Sequence, residues 1–321
     1  MLPVAENFLH IMDLIQYNAG MEKEINIRRG IIFILISSMG FATMGMLVRL
    51  SGDIPFTQKA FFRNSIAFIV SFSILLASGI KNKSVFNLPK SAIPYLFLRC
   101  AIGCLGIFGN FYAIGYMNIS DASMLNRMAP FFALFFSIFL LKEKPGIFVM
   151  TAIFTAFAGA LLVIKPSFDF SKTFPSLVGF IGGAGAGFAA VCVRKLKGYG
   201  VNGFLIISVF SLFSCLLSIP FIAVNFVPMT QAQLLTLIGA GVAAAFGQFG
   251  LTGAYFNAPA SKISIYEYSN VIFSAILGFL FLDQIPDHLS FIGYGVIILA
   301  ALTVFIYNHK KAQQNQEHPA P

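Results

Sequence analysis

Arg127 and Glu267 are the residues that a chain this apolar has least reason to keep, since each lies inside a stretch made mostly of Phe, Leu, Ile, Ala and Ser. An ionised side chain at mid-bilayer costs on the order of 2.5–3.5 kcal/mol on insertion scales, so it normally turns inward and finds a partner. A guanidinium and a carboxylate sharing one cavity can hold an acid, an amine or a proton. They can equally form a buried ion pair that only fixes helix packing. Lying about two turns from a span end, they can also snorkel towards the interface. We expect both to face one central cavity. Pro130, three residues after Arg127, has no N–H, which deprives the carbonyl of Asn126 of its i+4 donor and tends to kink the helix. In lipid that acceptor must be satisfied by protein, water or cargo; a plain packing kink is the alternative.

Further polar groups sit on faces of small residues. At about 100° per residue, Gly103, Gly106, Asn110 and Met117 share one helix face, and Gly241, Ala244, Gln248, Thr252 and Tyr255 share another. The two amides either bind neighbouring helices or point into the cavity, because a buried amide needs partners. Glu267, Asn270 and Ser274 fall on one stripe, with Ser264 and Tyr268 beside it. Tyr268 offers a ring for stacking on a flat group and Asn270 an amide. The candidate substrate-binding residues are therefore Arg127, Glu267, Asn110, Gln248, Tyr268 and Asn270. Arg49, Arg63, Arg99 and Arg194 lie near span ends, where snorkelling is cheap, and are read as orientation anchors or gate contacts.

Other chemistries lack their parts. Cys100, Cys104, Cys192 and Cys215 lie in apolar stretches, and His10, His288, His309 and His318 fall in tails or loops. That leaves no metal, haem or disulfide framework, no cofactor, and no catalytic Ser-His-Asp or Cys-His set. The run Gly182-Gly183-Ala184-Gly185-Ala186-Gly187 is followed by no Lys-Ser/Thr at phosphate-loop spacing. It reads as a close-packing face or a flexible gate.

The elements that position these residues follow from composition. The 321 residues are 58% hydrophobic and 10% charged, against roughly 25% charged in a soluble domain. So few charges cannot cover a water-exposed surface, which excludes a soluble enzyme or nucleic-acid binder. About 20 apolar residues span a bilayer core. Ten such segments occur at about 30–50, 57–79, 92–116, 120–141, 146–164, 175–193, 202–224, 232–256, 261–282 and 287–308. They are continuously apolar rather than alternating, which excludes a β-barrel.

With the N-terminus inside, one membrane side collects Lys23, Arg28, Arg29, Lys81, Lys83, Lys90, Lys142, Lys144, Arg194, Lys195, Lys197, Lys262, Lys310 and Lys311. The other holds mainly Lys59, Lys165 and Lys172, with Asp53, Asp121, Asp169, Asp283 and Asp287. The asymmetry puts both termini in the cytoplasm and accounts for the net charge of +9 without a nucleic-acid partner. The leader carries an amphipathic run from Phe8 to Ile15 but no signal-peptide pattern, and Met21 is an alternative start.

The halves resemble each other in order. Gly40-Phe41-Ala42 is echoed by Gly187-Phe188-Ala189, Val48-Arg49 by Val193-Arg194, and Gly103, Gly109 and Asn110 by Gly241, Gly247 and Gln248. Ala122-Ser123 returns as Ala260-Ser261. Five spans per half make the second copy enter from the opposite side, the geometry of an inverted repeat with a midplane site. The expected fold is an all-α membrane protein of ten transmembrane helices in two inverted five-helix repeats. Its parts are a cytoplasmic leader over 1–29, repeats over 30–165 and 175–308, and a disordered cytoplasmic tail over 309–321.

Added to the repeated Gly-Phe-Ala, the chain has Arg63 in Phe61-Phe62-Arg63-Asn64, Arg99 opening the third span, Pro130, Leu140-Leu141-Lys142-Glu143 and Tyr268. Over roughly 30–308 this resembles the drug/metabolite transporter superfamily, specifically proteins of two EamA-type repeats. Asp283-Gln284 departs from that pattern at the exit of the ninth span. The resemblance implies a secondary transporter working by alternating access in a bacterial inner membrane. Its cargo would be a small polar organic metabolite, an amino acid or derivative such as an S-adenosylmethionine-like molecule, with a coupling proton or counter-substrate. A nucleotide-sugar or lipid-intermediate carrier of the same fold would need more basic residues deep in the cavity, where Arg127 alone is evident. A non-transporting scaffold has no need of two inverted copies.

Overall fold

The computed structural model describes residues 26–81, 83–142, 146–165, 170–257 and 263–317. Most of the leader, with Met21, lies outside them, as do Glu143, Lys144, Asp169, Ala260-Ser261, Lys262 and the last four residues. The side chains of Lys172, Thr252, Tyr255 and Ser264 are likewise outside.

The described residues form helices α1 (Ile27–Leu50), α2 (Phe56–Lys81), α3 (Ile93–Tyr116), α4 (Ile119–Asn126) and α5 (Ala129–Leu140). They continue with α6 (Ile147–Ile164), α7 (Phe170–Gly198), α8 (Gly203–Val224) and α9 (Gln231–Asn257). A 3-10 segment (Ser264–Tyr268) leads into α10 (Ser269–Leu282), and α11 (His288–Glu317) closes the chain. No strand occurs among the described residues.

Against ten expected spans, eight stretches among the described residues are long and apolar enough to cross a bilayer, one of them being α4 and α5 taken together. Met150–Ile164 and Tyr266–Leu282 are shorter apolar helices. Large apolar side chains such as Ile69, Phe97, Phe139, Phe154 and Phe246 point outward on many helices, as a lipid-facing surface requires. Helix α11 runs to Glu317, past the point where a disordered tail was expected. Residues 309–317 (His-Lys-Lys-Ala-Gln-Gln-Asn-Gln-Glu) contain no Gly or Pro and several good helix formers, so nothing local stops the helix.

Helix pairing is dominated by α1 with α9, α3 with α7, α2 with α8, and α6 with α11; α1 also packs on α10, and α5 on α7. Small residues let these backbones touch. A methyl at Gly40 of α1 would lie 2.7 Å from the Gly247 nitrogen of α9, and the Ser37 hydroxyl donates to the Gly247 carbonyl at 2.6 Å. At the α3–α7 crossing, a methyl at Gly109 would lie 2.8 Å from the Val178 carbonyl. The Gly182–Gly187 run is thus a packing face: Gly182 abuts α3, and Gly183 and Gly187 abut α4 and α5.

Helix ends find partners within the protein, because lipid supplies none. The Lys59 ammonium donates to the Val48 carbonyl at 3.0 Å and the Gly52 carbonyl at 2.8 Å, closing α1. Arg49 donates to the carbonyls of Ile114 and Gly115, closing α3. Gln284 accepts from the Ile119 N–H at 3.0 Å and so caps α4; Asp283 beside it takes a left-handed turn (φ 52°). The buried Tyr294 hydroxyl of α11 donates to Asp121 of α4 at 2.5 Å.

Candidate functional site

An interrupted helix and a 3-10 turn build the centre. Pro130 falls in the first turn of α5, where its missing N–H matters least. The chain breaks just before it, at Arg127 and Met128, whose N–H groups bond back to Ser123 and Leu125. The expected kink is therefore a full interruption, with Arg127 as the residue that closes α4. On the facing side Glu267 lies in the 3-10 segment that precedes α10.

The Arg127 Nη1 donates to the Glu267 Oε2 at 3.1 Å, and only 14% and 16% of the two side chains are exposed. The Ser38 hydroxyl of α1 reaches the Glu267 carbonyl at 3.5 Å. Asn270 donates to the Ser38 carbonyl at 2.8 Å, and Ser123 pairs with Ser274 at 2.9 Å. Helices α1, α4 and α10 are thereby tied around the couple.

A cavity of about 530 Å³ opens beside this couple. Of the residues singled out in the sequence, Arg127, Asn110, Gln248 and Asn270 line it. Glu267 enters through its bond to Arg127. Tyr268 is placed otherwise: its ring is buried in the apolar cluster around Met128, Phe131 and Val271. Its hydroxyl donates to the Arg127 carbonyl at 3.3 Å. It positions the turn that carries Arg127 instead of offering a stacking face.

The larger correction concerns Arg63 and Arg99. Read as anchors near span ends, both line the cavity, and both also border an adjoining recess of about 100 Å³ with Phe210 and Gln248. Arg63 donates to Asn64 Oδ1 at 2.8 Å, and the fully buried Asn64 is held by the Ser214 hydroxyl of α8 at 2.8 Å. The Arg99 guanidinium lies over the Phe210 ring, 4.0 Å from its centroid, a cation–π contact. A methyl at Gly103 would collide with that guanidinium, so the glycine makes its room. Distance from a span end could not reveal this; the Arg-Asn pair in α2 and the i, i+4 relation of Arg99 to Gly103 were the available signals. Arg49 serves a helix end, as described above, and Arg194 is exposed.

A buried ion pair at a helix break, beside a polar cavity inside an apolar bundle, is an arrangement that membrane transporters use. Residues 28–165 match the EamA-like transporter family, and the apolar helices make the chain a multi-pass membrane protein. It is 28% identical over 280 residues to the pseudopaline exporter CntI of Pseudomonas aeruginosa, covering 87% of this chain and 96% of that one. A riboflavin transporter of Vibrio cholerae is 24% identical over 298 residues (90% and 96% covered). Human solute carrier family 35 member G1 is 27% identical over 274 residues (80% and 73%). A solved crystal structure aligns with a TM-score of 0.62 at 16% identity, covering 85% of this chain and 96% of that chain, a likeness of fold.

Proposed function

We propose that this chain is a secondary transporter of a small polar organic metabolite, working by alternating access in a bacterial inner membrane with both termini cytoplasmic. The observation that carries the reading is the Arg127–Glu267 pair, set between a helix break and a facing 3-10 turn beside a cavity of about 530 Å³. Broken helices at mid-membrane are where transporters place substrate and ion sites.

The pattern of packing supports two inverted five-helix repeats. Exchanging α1 with α7, α2 with α8, α3 with α9, α4–α5 with α10, and α6 with α11 maps the helix pairs onto one another. The α1–α9 pair becomes α7–α3, α1–α10 becomes α7–α5, and α2–α8 and α6–α11 map onto themselves. This exchange supports a two-fold relation between the halves, as an inverted repeat requires.

In this reading Arg127 attracts an acidic group, Glu267 takes an ammonium or a coupling proton, and Asn110, Gln248 and Asn270 orient the cargo. An amino-acid-like cargo suits these groups, while Arg63 and Arg99 in the cavity supply the further basic residues that a nucleotide-sugar or lipid-intermediate carrier would need. An S-adenosylmethionine-like one, with its sulfonium cation, is disfavoured by the three guanidiniums lining the cavity.

Counterflow in proteoliposomes tests the reading. Liposomes holding purified protein and loaded with a pool of unlabelled amino acids and small organic acids should accumulate at least one labelled member of that pool. Arg127→Ala should abolish the uptake. Glu267→Gln should lose its dependence on a pH gradient if that carboxylate carries the proton. Silence towards the whole pool from well-folded protein would favour a scaffold.

A further inference from the structure

We propose, building on the transporter reading, that the cavity takes a substrate with at least two acidic groups, carboxylate or phosphate, one met by Arg127 and another by Arg63 and Arg99. The charge inventory of the cavity carries this. Three guanidiniums line it, no Asp or Glu is among its lining residues, and Glu267 answers the charge of Arg127. Among the described residues, neither Arg63 nor Arg99 forms an ion pair with a carboxylate. Two like charges brought together out of water repel more strongly than in solution, and an anion between them removes that cost.

The geometry separates two subsites. The recess of about 100 Å³ is bordered by Arg63 and Arg99 and not by Arg127, so the basic groups mark two ends of a connected space. Each guanidinium is also held ready. Arg63 is fixed at one nitrogen by Asn64, which Ser214 fixes in turn. Arg99 rests its face on Phe210, a contact that leaves the in-plane N–H groups to face an acceptor. The Nε atoms of Arg99 and Arg127 are buried with no hydrogen-bond partner. Planar forks of this kind match carboxylate and phosphate oxygens. About 530 Å³ is ample for a small diacid.

Isothermal titration of the full chain, purified in a neutral detergent at fixed ionic strength, tests the inference without any transport. The probes are two matched pairs, glutamate with glutamine and 3-phosphoglycerate with glycerate. In at least one pair the diacid should bind about ten-fold or more tightly than its partner, the step expected for one charge-assisted contact. The pair that responds tells carboxylate from phosphate. Arg63→Gln and Arg99→Gln should each remove that advantage, whereas Arg194→Gln, an exposed position, should keep it. Equal or absent binding within both pairs overturns the inference on wild-type protein alone, whatever the variants do. Counterflow of a cargo that shows no preference for a second acid group would overturn the inference and leave the transporter reading standing. Diacid binding without any counterflow would do the reverse.

Discussion

The Arg127 guanidinium and the Glu267 carboxylate meet at 3.1 Å across two irregular stretches of helix, Arg127 at the break between α4 and α5 and Glu267 in the 3-10 segment that leads into α10. An interruption swings a side chain out of the regular helical array and leaves backbone polar groups to be satisfied inside the protein. Removing one partner of a buried pair costs about 3–5 kcal/mol, while replacing both by apolar groups is often neutral. Arg127→Met or Glu267→Leu alone should therefore lower the thermal midpoint, and the double variant should regain most of it. Counterflow should remain lost in the double variant. Flux that returns together with stability would reduce the pair to a packing device.

At the α1–α9 crossing the prediction is steric. Gly40→Val sets a branched side chain against the backbone of Gly247, 2.7 Å from its nitrogen. Overpacking of this kind costs about 1–3 kcal/mol. Gly115→Ala is the control, since a methyl there meets nothing within 4 Å and should be neutral or stabilising by about 0.4–1 kcal/mol. Thermal unfolding in one detergent compares the two. Equal midpoints would mean that α1 and α9 do not pack this closely.

Tyr294 and Asp121 should be energetically coupled. The tyrosine hydroxyl donates at 2.5 Å, and each residue is exposed by only about a twentieth (6% and 5%). Removing one partner of a buried hydrogen bond costs about 1–3 kcal/mol. Tyr294→Phe should destabilise by that order, and adding Asp121→Asn should cost less than the two single effects summed. Strict additivity would break the link between α4 and α11.

Outside the spans, Asp287 supplies a pH signature. A hydrogen bond from the Lys165 ammonium at 2.7 Å holds its carboxyl below the usual carboxylate range. The folded state thus binds the proton less readily than the unfolded chain. The pair's contribution is complete above the unfolded value of about 4 and is lost as pH falls through the lower folded value. Half of Asp287 is exposed (55%), so solvent screening keeps the effect to roughly 0–1 kcal/mol. Melting curves of wild type and Asp287→Asn should differ slightly at pH 7 and converge as pH falls below the lowered folded value. A gap that widens in acid would reverse the assignment.

Several of these features were readable from residue types alone. Membrane insertion is decided segment by segment, so runs of apolar residues locate the helices, and an Arg or Glu inside such a run must turn inward whatever its neighbours are. Pro130 announces a break by removing an N–H. Small residues at regular spacing announce close crossings, as at Gly40, Gly109 and Gly182. Asn110 and Gln248, for which packing glue and cavity lining were both open, line the cavity.

Tertiary structure decided the direction in which each long side chain points. Arg63 and Arg99 lie close enough to span ends to reach either interface, and only the packing of α2 on α8 and α3 on α7 turns them inward. Tyr268 lies beside the Glu267 stripe in sequence, yet a 3-10 segment winds tighter than an α-helix, and its ring goes into the core. Depth along the bilayer normal is set by local composition and could be read from the chain. Azimuth about a helix axis is set by which neighbours press on it, and that is a property of the whole bundle.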